Sequence, residues 1–144
     1  MAEIIGIVIS IIAFLMSIFT FVYNAYFAKV KLFVDIHAIY MGNDNARKAC
    51  REVKEHLCEI HMANTEEGPL FEVWMDQFLF YINLLLGISN KRGLKKLRKQ
   101  YIQYELDAIA NNELVVNAIF DKRNHLYYIR QYLEDNYGQK RKRR

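Results

Sequence analysis

The chain has one proline, Pro69, and only two cysteines, Cys50 and Cys58, in 144 residues. Two cysteines are too few for a disulfide framework, and the layout read below puts both in a reducing compartment, so they are expected to be unpaired. Alternating runs of Val, Ile and Thr joined by hairpin turns are missing, which argues against a sheet and for an all-α chain. A Walker loop, a dinucleotide-binding fingerprint, a Ser-His-Asp grouping and paired metal-binding carboxylates are missing too, so no cofactor is expected. His56, Cys58 and His61 have no second pair of ligands at matching spacing, and no metal is expected either.

Charge is missing where it matters most. Residues 4–28 contain no charged side chain. As a helix they would reach ~37 Å, against a hydrocarbon core of ~30 Å, enough to span with room for tilt. The segment is too long for the apolar core of a cleaved signal, its leading charge is Glu3, and no A-x-A site follows. Lys29 and Lys31 flank its far end, so the positive-inside rule places the amino terminus outside and the remainder in the cytoplasm. Net charge is +4, but Lys140, Arg141, Lys142, Arg143 and Arg144 contribute five positive charges, so basicity is local.

The expected organisation is a transmembrane helix at 1–29, a connector at 30–43 that is either helical or extended, a helical cytoplasmic domain at 44–138 and a basic tail at 139–144. Gly42 is a stop and Asn43-Asp44 a cap. Ala46, Ala49, Val53, Leu57 and Ile60 mark one apolar face of a helix over about 44–63. Residues 64–69, ending in Gly68 and Pro69, read as a loop. The apolar run at 70–89 has Asn83 as its one strongly polar residue between positions 78 and 88. Its uncharged window of about 14 residues is short for a span, so it is expected to be the central buried helix. Leu94, Leu97, Tyr101, Tyr104 and Ala108 form the next helical face, with both tyrosines expected in the core; stacking on RNA bases beside the basic cluster at 91–99 is the alternative. Asn111 and Asn112 interrupt it, and 114–120 and 125–137 supply two further pieces.

Within the span Gly6, Ser10, Ala13, Ser17, Thr20 and Asn24 recur at alternating steps of four and three, all on one face. Lipid offers such residues no partner, whereas a second helix offers close backbone approach and hydrogen bonds. The seam is therefore expected to pack against copies of the chain as a dry contact, or to line a lumen in a larger ring.

Two further groups carry candidate chemistry. Lys91, Arg92, Lys95, Lys96, Arg98 and Lys99 cluster at a helix start, where the macrodipole disfavours cations; lipid headgroups, RNA phosphate or an acidic partner would suit them. Arg51 and His56 form an R-x4-H pair that resembles the signature of HEPN-type ribonucleases, which implies an Arg that stabilises the scissile phosphate and a His that moves a proton. Glu52, directly after the Arg, repels phosphate, and i,i+4 pairing of Arg51 with Glu55 and of His56 with Glu52 is the non-catalytic alternative.

One amino-terminal span, a small helical domain and the Arg51/His56 pair together resemble the membrane-anchored HEPN-like accessory proteins of type VI-B CRISPR-Cas systems. The resemblance implies a bacterial inner-membrane protein that assembles into a ring-like homo-oligomer, perturbs the membrane and strengthens the antiviral action of an RNA-guided, RNA-cleaving nuclease. A membrane-tethered ribonuclease using Arg51 and His56 and an anchored interaction module are the alternatives.

Overall fold

The structure, a computed structural model, describes residues 2–58, 68–90 and 93–138. Among these residues it contains helices and no strand: α1 Ala2–Gly42, α2 Asp44–Lys54, α3 Gly68–Ser89, α4 Lys95–Tyr101, α5 Gln103–Asn111, α6 Glu113–Lys122 and α7 Tyr127–Tyr137. The all-α class is as the sequence predicts. The chain divides between Val34 and Asp35 into two compact units.

The first unit is the amino-terminal part of α1. Its mean hydropathy reaches 2.7 and its residues 3–24 are exposed along their whole length, so the helix is long and apolar enough to cross a membrane. α1 has no break before Gly42, so residues 30–42 are helix rather than an extended connector.

The second unit starts within the same helix. After Gly42 the Asn43 side chain accepts from the Ala46 amide at 2.9 Å and opens α2, the stop and cap expected there. α2 buries Ala46, Ala49, Cys50 and Val53 on one face. It ends at Lys54, nine residues short of the expected 63; residues 59–63 lie outside the described chain.

α3 begins at Gly68, so Gly68 and Pro69 belong to its first turn and not to a loop. A proline fits there because first-turn amides have no intrahelical acceptor. Phe71, Met75, Phe78, Leu79, Ile82, Leu85 and Leu86 are buried, and α2, α4 and α7 pack on this helix. Each such side chain, fully buried, contributes roughly 1.5–3 kcal/mol. α3 is also long and apolar enough to cross a membrane, with mean hydropathy 1.2, but its core position accounts for that composition.

Two polar devices fix the packing on α3. Leu126, the residue before α7, has no side chain that can cap, and Asn83 Oδ1 accepts from the Tyr128 and Ile129 amides instead, at 3.0 and 3.2 Å. The buried Arg123 donates through Nε to Asp76 at 2.6 Å, tying the end of α6 to α3. At Gly87 a Cβ would sit 2.6 Å from the Tyr128 ring, so only glycine permits this approach without a shift.

The helix expected over 94–108 is two helices meeting at Ile102. Ile102, Leu106 and Ile109 point inward across that break, which turns the tyrosines outward: Tyr101 is 39% exposed and Tyr104 69%. Their expected core position is thus corrected, because periodicity read through a break assigns the wrong face.

Candidate functional site

All six seam residues, Gly6, Ser10, Ala13, Ser17, Thr20 and Asn24, lie on the exposed, unbroken stretch of α1. Their hydrogen bonding divides them. Ser10 Oγ donates to the Gly6 carbonyl at 2.9 Å and Thr20 Oγ1 to the Met16 carbonyl at 2.8 Å, so those hydroxyl protons are spent within the helix. The side chains of Ser17 and Asn24 make no hydrogen bond to any described residue. Gly6 and Ser10 also leave a shallow groove beside Ile7, Ile11 and Phe14. Phe19, Tyr23 and Phe27 stack in a column, centroids 6.2 and 5.0 Å apart, about 100° round the helix from Thr20 and Asn24. Tyr23 and Tyr26 near the end of the apolar stretch suit a headgroup boundary.

The R-x4-H pair does not share a helix. Arg51 sits in the last turn of α2, whereas His56 lies beyond the C-cap residue Glu55 with φ +56°. The Leu57 amide donates to the Glu52 carbonyl at 3.0 Å and the His56 amide to the Val53 carbonyl at 3.4 Å. That bond pair is a Schellman closure, with His56 in the left-handed position where glycine is the usual occupant. Both side chains are exposed, and the expected Arg51–Glu55 ion pair is not formed. A histidine there costs the chain left-handed strain. His56→Gly should therefore raise stability by about 0.5–1 kcal/mol, read as a higher melting temperature. A drop would show that the imidazole makes a stabilising contact of its own.

What Arg51 does share is a groove of about 660 Å3 within the second unit. Arg47, Arg51 and Lys54 follow one another at helical spacing along one side of α2, and Tyr104 and Glu105 of α5 face them. Lys54 Nζ lies 3.8 Å over the Tyr104 ring and 3.9 Å from Glu105 Oε1. Arg47 and Arg51 have no carboxylate partner among the described residues. Tyr40 and Cys50 lie at the groove's inner side. Burial pushes the Tyr40 phenol well above its usual range, and its hydrogen bond to the Cys50 sulfur adds to that. Arg51 and Tyr104 stand in the sequence only in separate readings, one with His56 and the other beside the basic cluster; Arg47, Lys54 and Glu105 join them only through the fold.

Both thiols are buried and free. Burial raises the Cys50 pKa, against the lowering effect of the Tyr40 hydrogen bond, and raises that of Cys58, whose Sγ is 3.8 Å from Asn112 Nδ2. Both therefore stay protonated in the fold at neutral pH, which disfavours nucleophilic use. Maleimide at pH 7.5 should label neither cysteine in the folded protein and both in denaturant. The linkage has a fixed sign. The folded thiols hold their protons to higher pH than the unfolded ones, so their contribution is intact below about pH 8.5 and lost as pH rises beyond it. Native-state labelling of either thiol within minutes would contradict the burial.

Among the basic cluster Lys95, Lys96 and Lys99 are exposed on α4, while Arg98 is drawn against the Tyr132 ring, 5.3 Å from its centroid. Lys91, Arg92 and the tail 139–144 lie outside the described residues, as does His61 of the metal trio. No group of three His, Cys, Asp or Glu that could hold a metal occurs among the described residues. Compared with family models, curated proteins and solved structures, the chain finds no match.

Proposed function

We propose that this chain is a single-pass membrane protein whose span self-associates into a ring-like homo-oligomer and permeabilises or depolarises a bacterial inner membrane in antiviral defence. The observation that carries the self-association is the division of the seam: Gly6 and Ala13 allow close approach, while Ser17 and Asn24 have hydrogen bonds unspent on an exposed helix face. In hydrocarbon an unspent amide or hydroxyl is costly, and a neighbouring helix is the partner that removes the cost. Lys29 and Lys31 orient the second unit to the cytoplasm. The link to an RNA-guided, RNA-cleaving nuclease rests on the resemblance in layout to the accessory proteins of type VI-B CRISPR systems.

Purified protein reconstituted into dye-loaded liposomes tests this. Leakage that rises more than linearly with protein density is expected, because the conducting unit is an assembly. Intact liposomes at every density would remove the permeabilising role and leave the anchored interaction module, for which exposed Lys95, Lys96 and Lys99 offer a surface. The ribonuclease reading is disfavoured by the closure at His56, which takes it off the helix that carries Arg51.

A further inference from the structure

We propose that the groove between α2 and α5 binds a nucleotide-sized phosphate ester, with Arg47 and Arg51 holding the phosphate and the open face of Tyr104 receiving the base. The proposal concerns the second unit alone and stands or falls independently of any pore.

Three observations converge on it. First, an exposed arginine on a helix normally finds a carboxylate one turn away, and Glu55 stands at that spacing from Arg51. The C-cap geometry at Glu55 ends the helix there, and the guanidinium of Arg51 is left without a carboxylate among the described residues, as is that of Arg47. Two arginines one turn apart on one helix side present paired planar donors, the arrangement that suits phosphate oxygens.

Second, the third cation is already committed. Lys54 is held between Glu105 Oε1 and the Tyr104 ring and so offsets that carboxylate, while Glu55 lines the same groove without an ion pair to either arginine, which leaves both guanidiniums for a ligand against two acidic and three basic groups in all. Third, Tyr104 is a large aromatic whose ring packs on Lys54 and whose residue is 69% exposed. A base can lie on the free face, and about 660 Å3 falls within the size range of small-molecule sites.

A solvated surface is the competing account, and it makes a different prediction. Isolated surface arginines bind phosphate weakly and additively, with no preference for a nucleoside. A built site shows saturable binding with separable contributions from the arginines and the ring.

The experiment uses the full chain in nanodiscs of phosphatidylcholine, with AMP and inorganic phosphate as probes and titration calorimetry as the readout. AMP is expected to bind saturably, and Arg47→Ala and Arg51→Ala to weaken it about ten- to hundredfold each, with helical content unchanged in circular dichroism. Tyr104→Ala should weaken AMP but leave inorganic phosphate unaffected. A parallel AMP titration in nanodiscs containing phosphatidic acid separates a lipid source of the same phosphate. If phosphatidic acid abolishes AMP binding while phosphatidylglycerol at matched surface charge does not, the groove takes its phosphate from the bilayer, and the nucleotide assignment is overturned. Absence of saturable AMP binding at about 1 mM, or equal binding by wild type and the double arginine variant, overturns the proposal.

Discussion

Asn83→Leu should lower the stability of the helical domain by about 2–4 kcal/mol, with a melting temperature lower by roughly 8–16 °C. The substitution keeps the side chain's bulk within the core, so the loss is not chiefly one of volume. What disappears is the acceptor for two amides in the first turn of α7, Tyr128 and Ile129. First-turn amides have no carbonyl one turn back, and Leu126 offers no side-chain cap of its own. Ile129 is fully buried, so water cannot replace the lost oxygen at that amide. Asn83→Asp, which keeps the acceptor, should recover part of the loss. The single tryptophan, Trp74 on α3, reports the transition by its fluorescence. A change under about 1 kcal/mol for Asn83→Leu would show that α7 does not depend on this cap.

Asn83 also shows how far the sequence carries. It was visible as the one strongly polar residue in an apolar run, but its use was not, because the amides it serves are 45 and 46 residues away. The same division runs through the fold. Helix existence follows from local periodicity: α3, α6 and α7 fall close to where that pattern puts them, and α1 and α2 begin where it does. Helix ends depend on single residues with uncommon backbone angles, and His56 at φ +56° ends α2 where the apolar pattern through Leu57 and Ile60 points onward. The break at Ile102 is hidden in the same way, since isoleucine carries no stop signal of its own, and it is that break which exposes Tyr104.

The candidate site divides along the same line. Arg51 and His56 were paired by the R-x4-H signature, and five positions turn a helix by about 140°, so the spacing itself puts them on no common face. Once α2 closes at Lys54, the neighbours of Arg51 are Arg47 and Lys54 behind it and Tyr104 and Glu105 across the groove. Half of that set lies more than fifty positions along the chain from Arg51, beyond the reach of any local pattern.

The six seam positions of α1 fall on one uninterrupted helix, so their common face follows from spacing alone. Replacing Ser10 and Ser17 together by leucine should leave insertion intact, since both changes make the span more apolar, and should disrupt assembly. The two positions test different contributions. Ser10 has spent its proton on the Gly6 carbonyl, so Ser10→Leu acts by bulk, filling the groove beside Gly6 and holding a neighbouring backbone away. The Ser17 side chain has no hydrogen bond to a described residue, so Ser17→Leu also deletes a hydroxyl available to a partner helix. An interhelical hydrogen bond contributes about 0.6–2 kcal/mol, and lost close packing adds to it. Together they should cost more than a factor of ten in each helix–helix association constant, a loss multiplied at every contact of a ring. In mild detergent the double variant should migrate as a smaller species than wild type. In liposomes its leakage should fall to background at matched density. Leucine at the exposed Val8 and Val22, on the helix face opposite the seam, is the control and should change neither readout. Wild-type particle size in the double variant would mean that α1 is only an anchor and that any assembly is made by the second unit.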